Sequence, residues 1–244
     1  MRVVKAAAAA VTALALSLGL PAGAATAAPA QPQIQQTGPE GIDVSHYQTV
    51  VVWATVALNG KRFAYIKATE GTTIKDTYFD VNYLQAYLVG MIRGAYHFAR
   101  PARSNGMVQA DYFLANGGGW SADGRTLPGA LDLEGDCAGL SPAAMVQWIH
   151  QFADRYRERT GRHVVIYTNR SWWNSCTGGN GEFAANNPLW YAEPDPQPQL
   201  PNGWSRYTFW QYSQSGSVPG INGEVDLNVF NGSQEQLTRF ATVG

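Results

Sequence analysis

Short apolar runs alternate with stretches of helical pattern through the first two thirds of this sequence. The runs predict strands at residues 41–44, 63–67, 91–98, 129–133 and 164–168. The clearest helix begins after Ser141 as N-cap, with Pro142 at the first helical position, and ends before Gly161. Another extends from about Met107 to Ala115. Alternation at this spacing predicts right-handed crossovers and a parallel sheet.

The pattern changes after Thr168. Strands are predicted at residues 189–192, 207–212 and 225–230, but their connections contain Pro, Gly, Asn and Trp without apolar helical periodicity. A closing helix is predicted only at 233–240, where Ser233 and Gln236 have the spacing of a capping box. We therefore expect an α/β fold, an irregular TIM-like barrel of five βα units followed by three strands with few helices, rather than an open doubly wound sheet.

The N-terminal residues have the layout of an export signal. Arg2 and Lys5 precede a weakly apolar run at residues 6–20, which ends at Pro21 and is followed by small residues. The alternative, a membrane anchor, needs about 20 apolar residues. We predict a secretory signal peptide at 1–30, a disordered leader at 31–40 and a single catalytic domain at 41–244. The mature protein is expected to be secreted and extracellular, not inserted in a membrane, and monomeric.

Charge and residue spacing exclude several classes of protein. The chain has 17 Lys and Arg against 18 Asp and Glu, with no basic run, so binding to nucleic acid by counterion release is not expected. The four histidines lack the spacing of metal ligands, so neither a metal nor a cofactor is implied. In an oxidising compartment Cys137 and Cys176 are predicted to form a disulfide, the alternative being two free thiols.

An acid pair closes the predicted strand at 129–133. Asp132 and Glu134 are two residues apart, so they project from one face with Cα atoms about 6.5–7 Å apart, while Leu131 and Leu133 face the helix layer. Two carboxyl groups that point into a barrel mouth repel each other when both are ionised, so the pKa of one of them should rise. A neutral acid beside an ionised one suits cleavage of a glycosidic bond. The alternative is an exposed acid pair at a strand end.

Seven short motifs in order resemble the family 25 glycoside hydrolases, the Chalaropsis-type lysozymes. They lie between residues 41 and 230 and read GIDVSHYQ (41–48), AYIKATEG (64–71), RGAYHF (93–98), LDLE (131–134), LWYA (189–192), FWQYS (209–213) and VDLN (225–228). The resemblance implies hydrolysis of the β-1,4 bond between N-acetylmuramic acid and N-acetylglucosamine in peptidoglycan. It also implies an irregular barrel, which agrees with the strand count above.

The resemblance assigns roles to four acids. Glu134 would donate the proton to the leaving sugar, and Asp132 would orient the 2-acetamido group of the substrate as that group assists at the anomeric carbon. Asp43 and Asp226 would complete the acidic cluster. The mechanism of the family looks substrate-assisted, which is an exception to the scheme with two catalytic carboxylates.

Five further residues are candidates for substrate binding. Aromatic rings suit the apolar faces of sugars, although Trp and Tyr more often serve packing. The candidates are Tyr96, Trp190, Lys67, Tyr167 and Trp210. Two other functions stay open: a chitinase-like N-acetylhexosaminidase, which could use the same acid pair, and a non-catalytic binder of cell-wall glycan, which would be expected to have lost one of the four acids.

Overall fold

The computed structural model describes residues 38–194 and 199–243. In this part of the chain one sheet contains the strands β1 (Glu40–Val44), β2 (Phe63–Glu70), β3 (Ile74–Lys75), β4 (Ile92–Phe98), β5 (Ala130–Asp132), β6 (Val165–Thr168), β7 (Leu189–Ala192), β8 (Phe209–Gly216) and β9 (Val225–Phe230). The α-helices are α1 (Trp53–Leu58), α2 (Phe79–Leu88), α3 (Gly106–Ala115), α4 (Pro142–Thr160), α5 (Arg170–Thr177) and α6 (Gln234–Thr242).

The sheet closes into a barrel because β1 pairs with both β2 and β9. The order around the barrel is β1-β9-β8-β7-β6-β5-β4-β2, and the short β3 pairs with the end of β2 outside this ring. Each of β1, β2, β4, β5 and β6 is followed by one of the helices α1 to α5. The predicted irregular TIM-like barrel, with five βα units followed by strands, is therefore confirmed.

The last strand runs opposite to its neighbours. The pairs from β1–β2 around to β7–β8 are parallel, whereas β9 is antiparallel to both β8 and β1. No helix lies between β8 and β9 in the described chain, so the chain returns directly instead of crossing over. The expected parallel sheet thus ends at β8. As a result, the first residues of β9 lie at the rim where the parallel strands have their carboxyl ends.

Side-chain alternation separates the barrel interior from the helix layer. Tyr65 and Trp190 belong to the buried cluster inside the barrel, while Ile66 packs in the cluster beneath the helices. Helix α6 closes the end opposite the carboxyl rim, because Leu237 packs with the interior residues that begin β2 and β8, Phe63 and Phe209. The predicted capping box at the start of this helix, formed by Ser233 and Gln236, is confirmed.

Several boundaries differ from those expected. Glu40 was assigned to the leader but begins β1, because it pairs with Val229 of β9. Helix α5 supplies the helix of the fifth predicted βα unit, although no helical pattern was recognised after Thr168. It begins at the N-cap Asn169, and its buried residues Trp172, Trp173, Cys176 and Thr177 share one face at helical spacing. The predicted signal peptide at 1–30 and the leader from 31 to 37 lie outside the described residues.

The predicted disulfide between Cys137 and Cys176 is present. It joins the loop that follows β5 to helix α5, with a sequence separation of 39. Cys137 lies three residues after Glu134, so the crosslink holds the loop that leaves the acid pair. Across residues 38–194 and 199–243, none of the helices is long and apolar enough to cross a membrane.

Replacing both cysteines by serine should lower the free energy of unfolding by about 2–4 kcal/mol, because the unfolded chain regains the entropy of an open loop. Guanidinium denaturation of the Cys137→Ser, Cys176→Ser double variant measures the change. Wild-type protein under reducing conditions is the matched control and should unfold at the same midpoint as the variant. A variant that unfolds at the midpoint of the oxidised wild type would contradict the expected contribution of this crosslink.

Candidate active site

Four carboxyl groups meet at the carboxyl rim of the barrel. Asp43 lies near the end of β1, Asp132 ends β5, Glu134 follows two residues later and Asp226 is the second residue of β9. The four acids and Tyr96 line two overlapping cavities of 60 and 180 Å³. The structure therefore brings together all four acids that the sequence singled out.

The strand β5 places its two acids as the alternation predicted. Leu131 and Leu133 are fully buried in the cluster beneath the helices, whereas Asp132 and Glu134 line the cavities. The end of the strand is held from both sides by backbone hydrogen bonds: the N–H of Ala99 donates to the carbonyl of Asp132, and the N–H of Leu133 donates to that of Tyr167, both at 3.0 Å. The acid pair is thus fixed by neighbouring strands and not by a free loop.

Asp43 and Asp226 face each other across the β1–β9 pair, where their Cα atoms are in register. The side-chain amides of Asn228 and Gln211 donate to Oδ2 of Asp43 at 2.7 and 2.9 Å. Burial raises the pKa of Asp43, and these hydrogen bonds oppose that rise. Burial, and then the negative charge of Asp43, raise the pKa of Asp226 to about 9. Asp226 is therefore the member of the pair that holds a proton at neutral pH.

Asp132 has one buried carboxyl oxygen that is not hydrogen-bonded to any of the described residues. Its side chain is buried, and its Oδ1 atom has no hydrogen-bond partner among the residues that the structure describes. Burial raises the pKa of Asp132 well above its ordinary value, and the charge of Glu134 adds to the rise. A buried carboxyl oxygen without a partner is costly, so this atom is a position where a bound molecule can supply the missing donor.

Glu134 is more open to solvent than Asp132. Burial raises the pKa of Glu134, and the charge of Asp43 adds to this, while Lys67 and Arg100 lower it. Glu134 also lines a larger neighbouring cleft of 730 Å³, together with Thr72, Arg100 and other residues of the loops after β2, β4 and β5. This acid therefore stands where the small acidic cavities meet a larger cleft, with a carboxyl group that retains its proton to higher pH than usual.

Glu70 reaches Lys67 because of an irregularity in β2. The pairing of β2 with β4 shifts between Lys67 and Thr69, as in a β-bulge. In a regular strand residues three apart point to opposite faces, but one extra residue restores a common face. The ammonium group of Lys67 can therefore bond Oε2 of Glu70, at 2.7 Å. Arg100 holds the other oxygen of Glu70 through Nε at 2.8 Å.

Three of the predicted aromatic residues line the smaller cavity: Tyr96, Tyr167 and Trp190. Two of them also hold the amides that bind Asp43. The Tyr167 hydroxyl donates to Gln211 at 3.0 Å, and the Trp190 indole N–H donates to Asn228 at 2.7 Å. Their rings thus form the floor of the site and orient its hydrogen-bond donors.

Trp210 lies elsewhere. It is buried in a cluster on the outside of the barrel with Leu189, Tyr191 and Val229, and its indole donates to the backbone of Glu193. Because successive residues of a strand face opposite sides, the neighbouring Gln211 faces the acids and Trp210 faces away. The structure therefore does not bring Trp210 into the site.

Sequence reasoning missed Gln211, Asn228, Glu70, Arg100 and Tyr47. Gln211 and Asn228 lie inside motifs quoted above, and strand alternation could have identified both: Asn228 is two residues after Asp226. The contact between Glu70 and Lys67 had no such signal, since it depends on the shifted pairing of β2.

Other parts of the described structure lack this chemistry. A separate cavity of 680 Å³ is lined by residues near the start of β7 and β8 and by α6, and none of the residues lining it is an acid. Within residues 38–194 and 199–243, no group of three or more His, Cys, Asp or Glu side chains is arranged to hold a metal ion.

Comparison with known proteins places the chain among enzymes that act on glycans. The sequence profile of Glycosyl hydrolases family 25 matches residues 42–221. Lysozyme M1 of Streptomyces globisporus is 54% identical over 211 residues, covering 84% of this chain and 72% of that protein. The N,O-diacetylmuramidase of Chalaropsis sp is 46% identical over 213 residues, covering 83% and 99%. The crystal structure of the bacterial lysozyme from Streptomyces coelicolor matches with a TM-score of 0.82 at 53% identity, covering 84% and 98%. The resemblance seen in the motifs is confirmed.

The raised pKa of Asp226 makes stability depend on pH. An unfolded aspartate releases its proton near pH 4, whereas folded Asp226 holds its proton up to about pH 9. Between these values the folded chain binds more protons, so stability should fall as pH rises. Thermal unfolding of Asp226→Asn from pH 4 to 9 should show a smaller fall in Tm than the wild type. Asp154→Asn, an exposed change on α4, is the matched control. Equal falls in Asp226→Asn and wild type would contradict the assignment.

Proposed function

The chain belongs to Glycosyl hydrolases family 25, and on that premise we propose that it is a lysozyme in which Glu134 protonates the leaving sugar and Asp132 positions the substrate. The bond cleaved is the β-1,4 link between N-acetylmuramic acid and N-acetylglucosamine in peptidoglycan. One observation carries the assignment of Glu134. It is the acid that borders both the small acidic cavities and the larger neighbouring cleft, so it can face a bond whose two sugars lie on its two sides.

The raised pKa of Glu134 suits an acid that must hold its proton until the bond breaks. In the proposed step Glu134 transfers this proton to the glycosidic oxygen, and the bond from that oxygen to the anomeric carbon breaks. The carbonyl oxygen of the 2-acetamido group forms a new bond to the anomeric carbon and gives a cyclic oxazolinium. Water then opens this ring and transfers a proton to Glu134, which restores the acid.

Asp132 is suited to hold the acetamido group during that step. Its buried Oδ1 atom lacks a partner among the described residues and can accept the acetamido N–H. This hydrogen bond would aim the acetamido oxygen at the anomeric carbon and would stabilise the positive charge of the oxazolinium. A buried acceptor is worth more here than at the surface, because little water competes for it.

Asp43, Asp226 and the aromatic floor complete the proposed site. Asp43 accepts from the amides of Gln211 and Asn228 and supplies negative charge near the sugar ring, where positive charge develops. Tyr96 and Trp190 line the cavity that would receive the sugar on the acetamido side. Lys67, held by Glu70, limits the rise in the pKa of both Asp132 and Glu134.

Two other functions would use the same site. A chitinase-like enzyme would also need the acid pair and the acetamido acceptor, so the nature of the polymer separates the two. A non-catalytic glycan binder has no need for a protonated acid beside the larger cleft, whereas Glu134 has the position and the raised pKa of a proton donor.

Export to the cell exterior is part of the proposal. Its support is the basic and apolar pattern of residues 1–20, the small residues that follow, and the disulfide, which is typical of oxidising compartments. Peptidoglycan lies outside the cell membrane, so it agrees with this location as the substrate. The proposal also includes a monomeric state.

Purified cell walls test the function. The wild type should release fragments with N-acetylmuramic acid at the reducing end, identified by mass analysis of the reduced products, and should release none from chitin. Glu134→Gln should lower this release by about 100-fold or more, because an amide of the same shape cannot donate the proton. The matched control is Glu224→Gln, an exposed acid in the loop before β9.

Each arm of that experiment has a contradicting outcome. Wild-type turnover by folded Glu134→Gln would exclude Glu134 as the proton donor. Fragments from chitin at a comparable rate would favour the chitinase-like function. Binding of wild-type protein to walls without release of reducing ends would favour the non-catalytic binder.

Lys67→Met should move the alkaline limb of the kcat/KM profile to higher pH. Lys67 lowers the pKa of Glu134, so its removal lets Glu134 keep the proton to higher pH. Rates measured on soluble wall glycan from pH 3 to 9 give the profile. Lys75→Met changes an exposed lysine on β3 and serves as control. A limb that stays in place, or moves to lower pH, would show that Lys67 does not act on the acid by charge.

A further inference from the structure

One aromatic ring at the edge of the acidic site has no role in the mechanism above. Tyr47 lines the 180 Å³ cavity beside Asp43 and Asp226, and yet it is 80% exposed. Burial of an aromatic ring normally contributes to stability, so a ring left open beside a cleft is available for a ligand.

The turn that carries Tyr47 is rigid. Ser45 caps this 3-10 turn, and its hydroxyl accepts the N–H of Tyr47 at 3.3 Å, while the side chain of Gln48 returns to the N–H of Ser45 at 3.0 Å. The same Gln48 donates to the carbonyl of Glu224, immediately before β9. Thr49 ends the turn at φ 54°, a left-handed conformation that a threonine adopts only when its surroundings require it.

A second ring supports Tyr47 from behind. The rings of His46 and Tyr47 lie with centroids 4.2 Å apart and planes at 35°. His46 is itself fixed, because both its backbone N–H and its Nδ1 atom bond the buried Oδ2 atom of Asp76 at 2.9 Å. The fixed His46 ring restricts the Tyr47 ring on one side, so less side-chain entropy is lost on binding than for a ring without this contact.

We propose that Tyr47 is a stacking platform for a sugar of the glycan chain, next to the sugar held in the acidic cavity. This inference rests on the proposed function and extends it to a second binding position. The C–H face of a pyranose ring is apolar and packs on a flat aromatic surface. Glu134 borders the larger cleft with Arg100, whereas Tyr47 lines only the acidic cavity. Glu134 lines both cavities, so the bond to be cleaved lies between them. The leaving sugar then lies in the cleft with Arg100, and Tyr47 holds the part of the glycan that stays after the bond breaks.

Kinetics on peptide-free glycan strands prepared from cell walls test this platform. Tyr47→Ala should raise KM by about five- to tenfold with a much smaller change in kcat, and it should reduce the preference for long strands over the shortest strands cleaved. Tyr47→Phe keeps the ring and should stay within about twofold of wild type. Leu58→Ala, which changes a side chain 87% exposed on α1, is the matched control.

Folding is checked by circular dichroism and Tm for each variant. A KM for Tyr47→Ala equal to that of Leu58→Ala would overturn the platform, and so would a Tyr47→Phe variant as impaired as Tyr47→Ala. These results leave the proposed function standing, because wild-type protein still cleaves the strands. Failure of wild-type protein to cleave any strand would instead defeat the proposed function, and the platform with it.

Discussion

The burial of four carboxyl groups at one rim of the barrel is the constraint to which the rest of the site responds. Removing a carboxylate from water is expensive, and a second negative charge nearby increases the cost, so protons are retained and donors are supplied. Asp226 keeps a proton, Asp43 receives the amides of Gln211 and Asn228, and Lys67 faces the pair on β5. Only Asp132 keeps a buried oxygen without a partner in the described structure, and there the substrate can supply the missing donor. This buried oxygen of Asp132 lowers the stability of the free protein, and the same atom is available to bind the substrate.

Two departures from a regular barrel place these groups. The reversed β9 brings its first residues to the rim formed by the carboxyl ends of the parallel strands, which sets Asp226 opposite Asp43. The shifted pairing in β2 returns Glu70 to the face of Lys67, so that the lysine is held at the edge of the acids. A symmetric barrel with eight parallel strands would provide neither contact. The irregularity of this fold is therefore part of its site, as is common for bulges near active sites.

Much of the fold could be predicted from local patterns. Strand β9 was predicted with the bounds observed, and helix α4 with its N-cap Ser141 and its terminal Gly161, because propensity and capping agree at these places. The bounds of helix α5 were not predicted because the helix has only eight residues, and one short period of buried residues is hard to recognise next to the Gly and Asn that follow. The short β3 was missed because two residues carry no period at all. Glu40 was assigned to the leader because its pairing with Val229 is a contact between distant parts of the chain.

The sequence by itself determined which residues are candidates for the chemistry: the order of the motifs, the acid pair on one face of a strand and the cysteine pair all follow from residue type and spacing. Only the tertiary structure decided how these residues act. It turned Trp210 away from the site while Gln211 faces Asp43, gave Lys67 its partner Glu70, and left Tyr47 open beside the acids. The physical reason is that pKa, burial and hydrogen-bond partners depend on contacts between residues far apart in the chain, and no local pattern contains those distances.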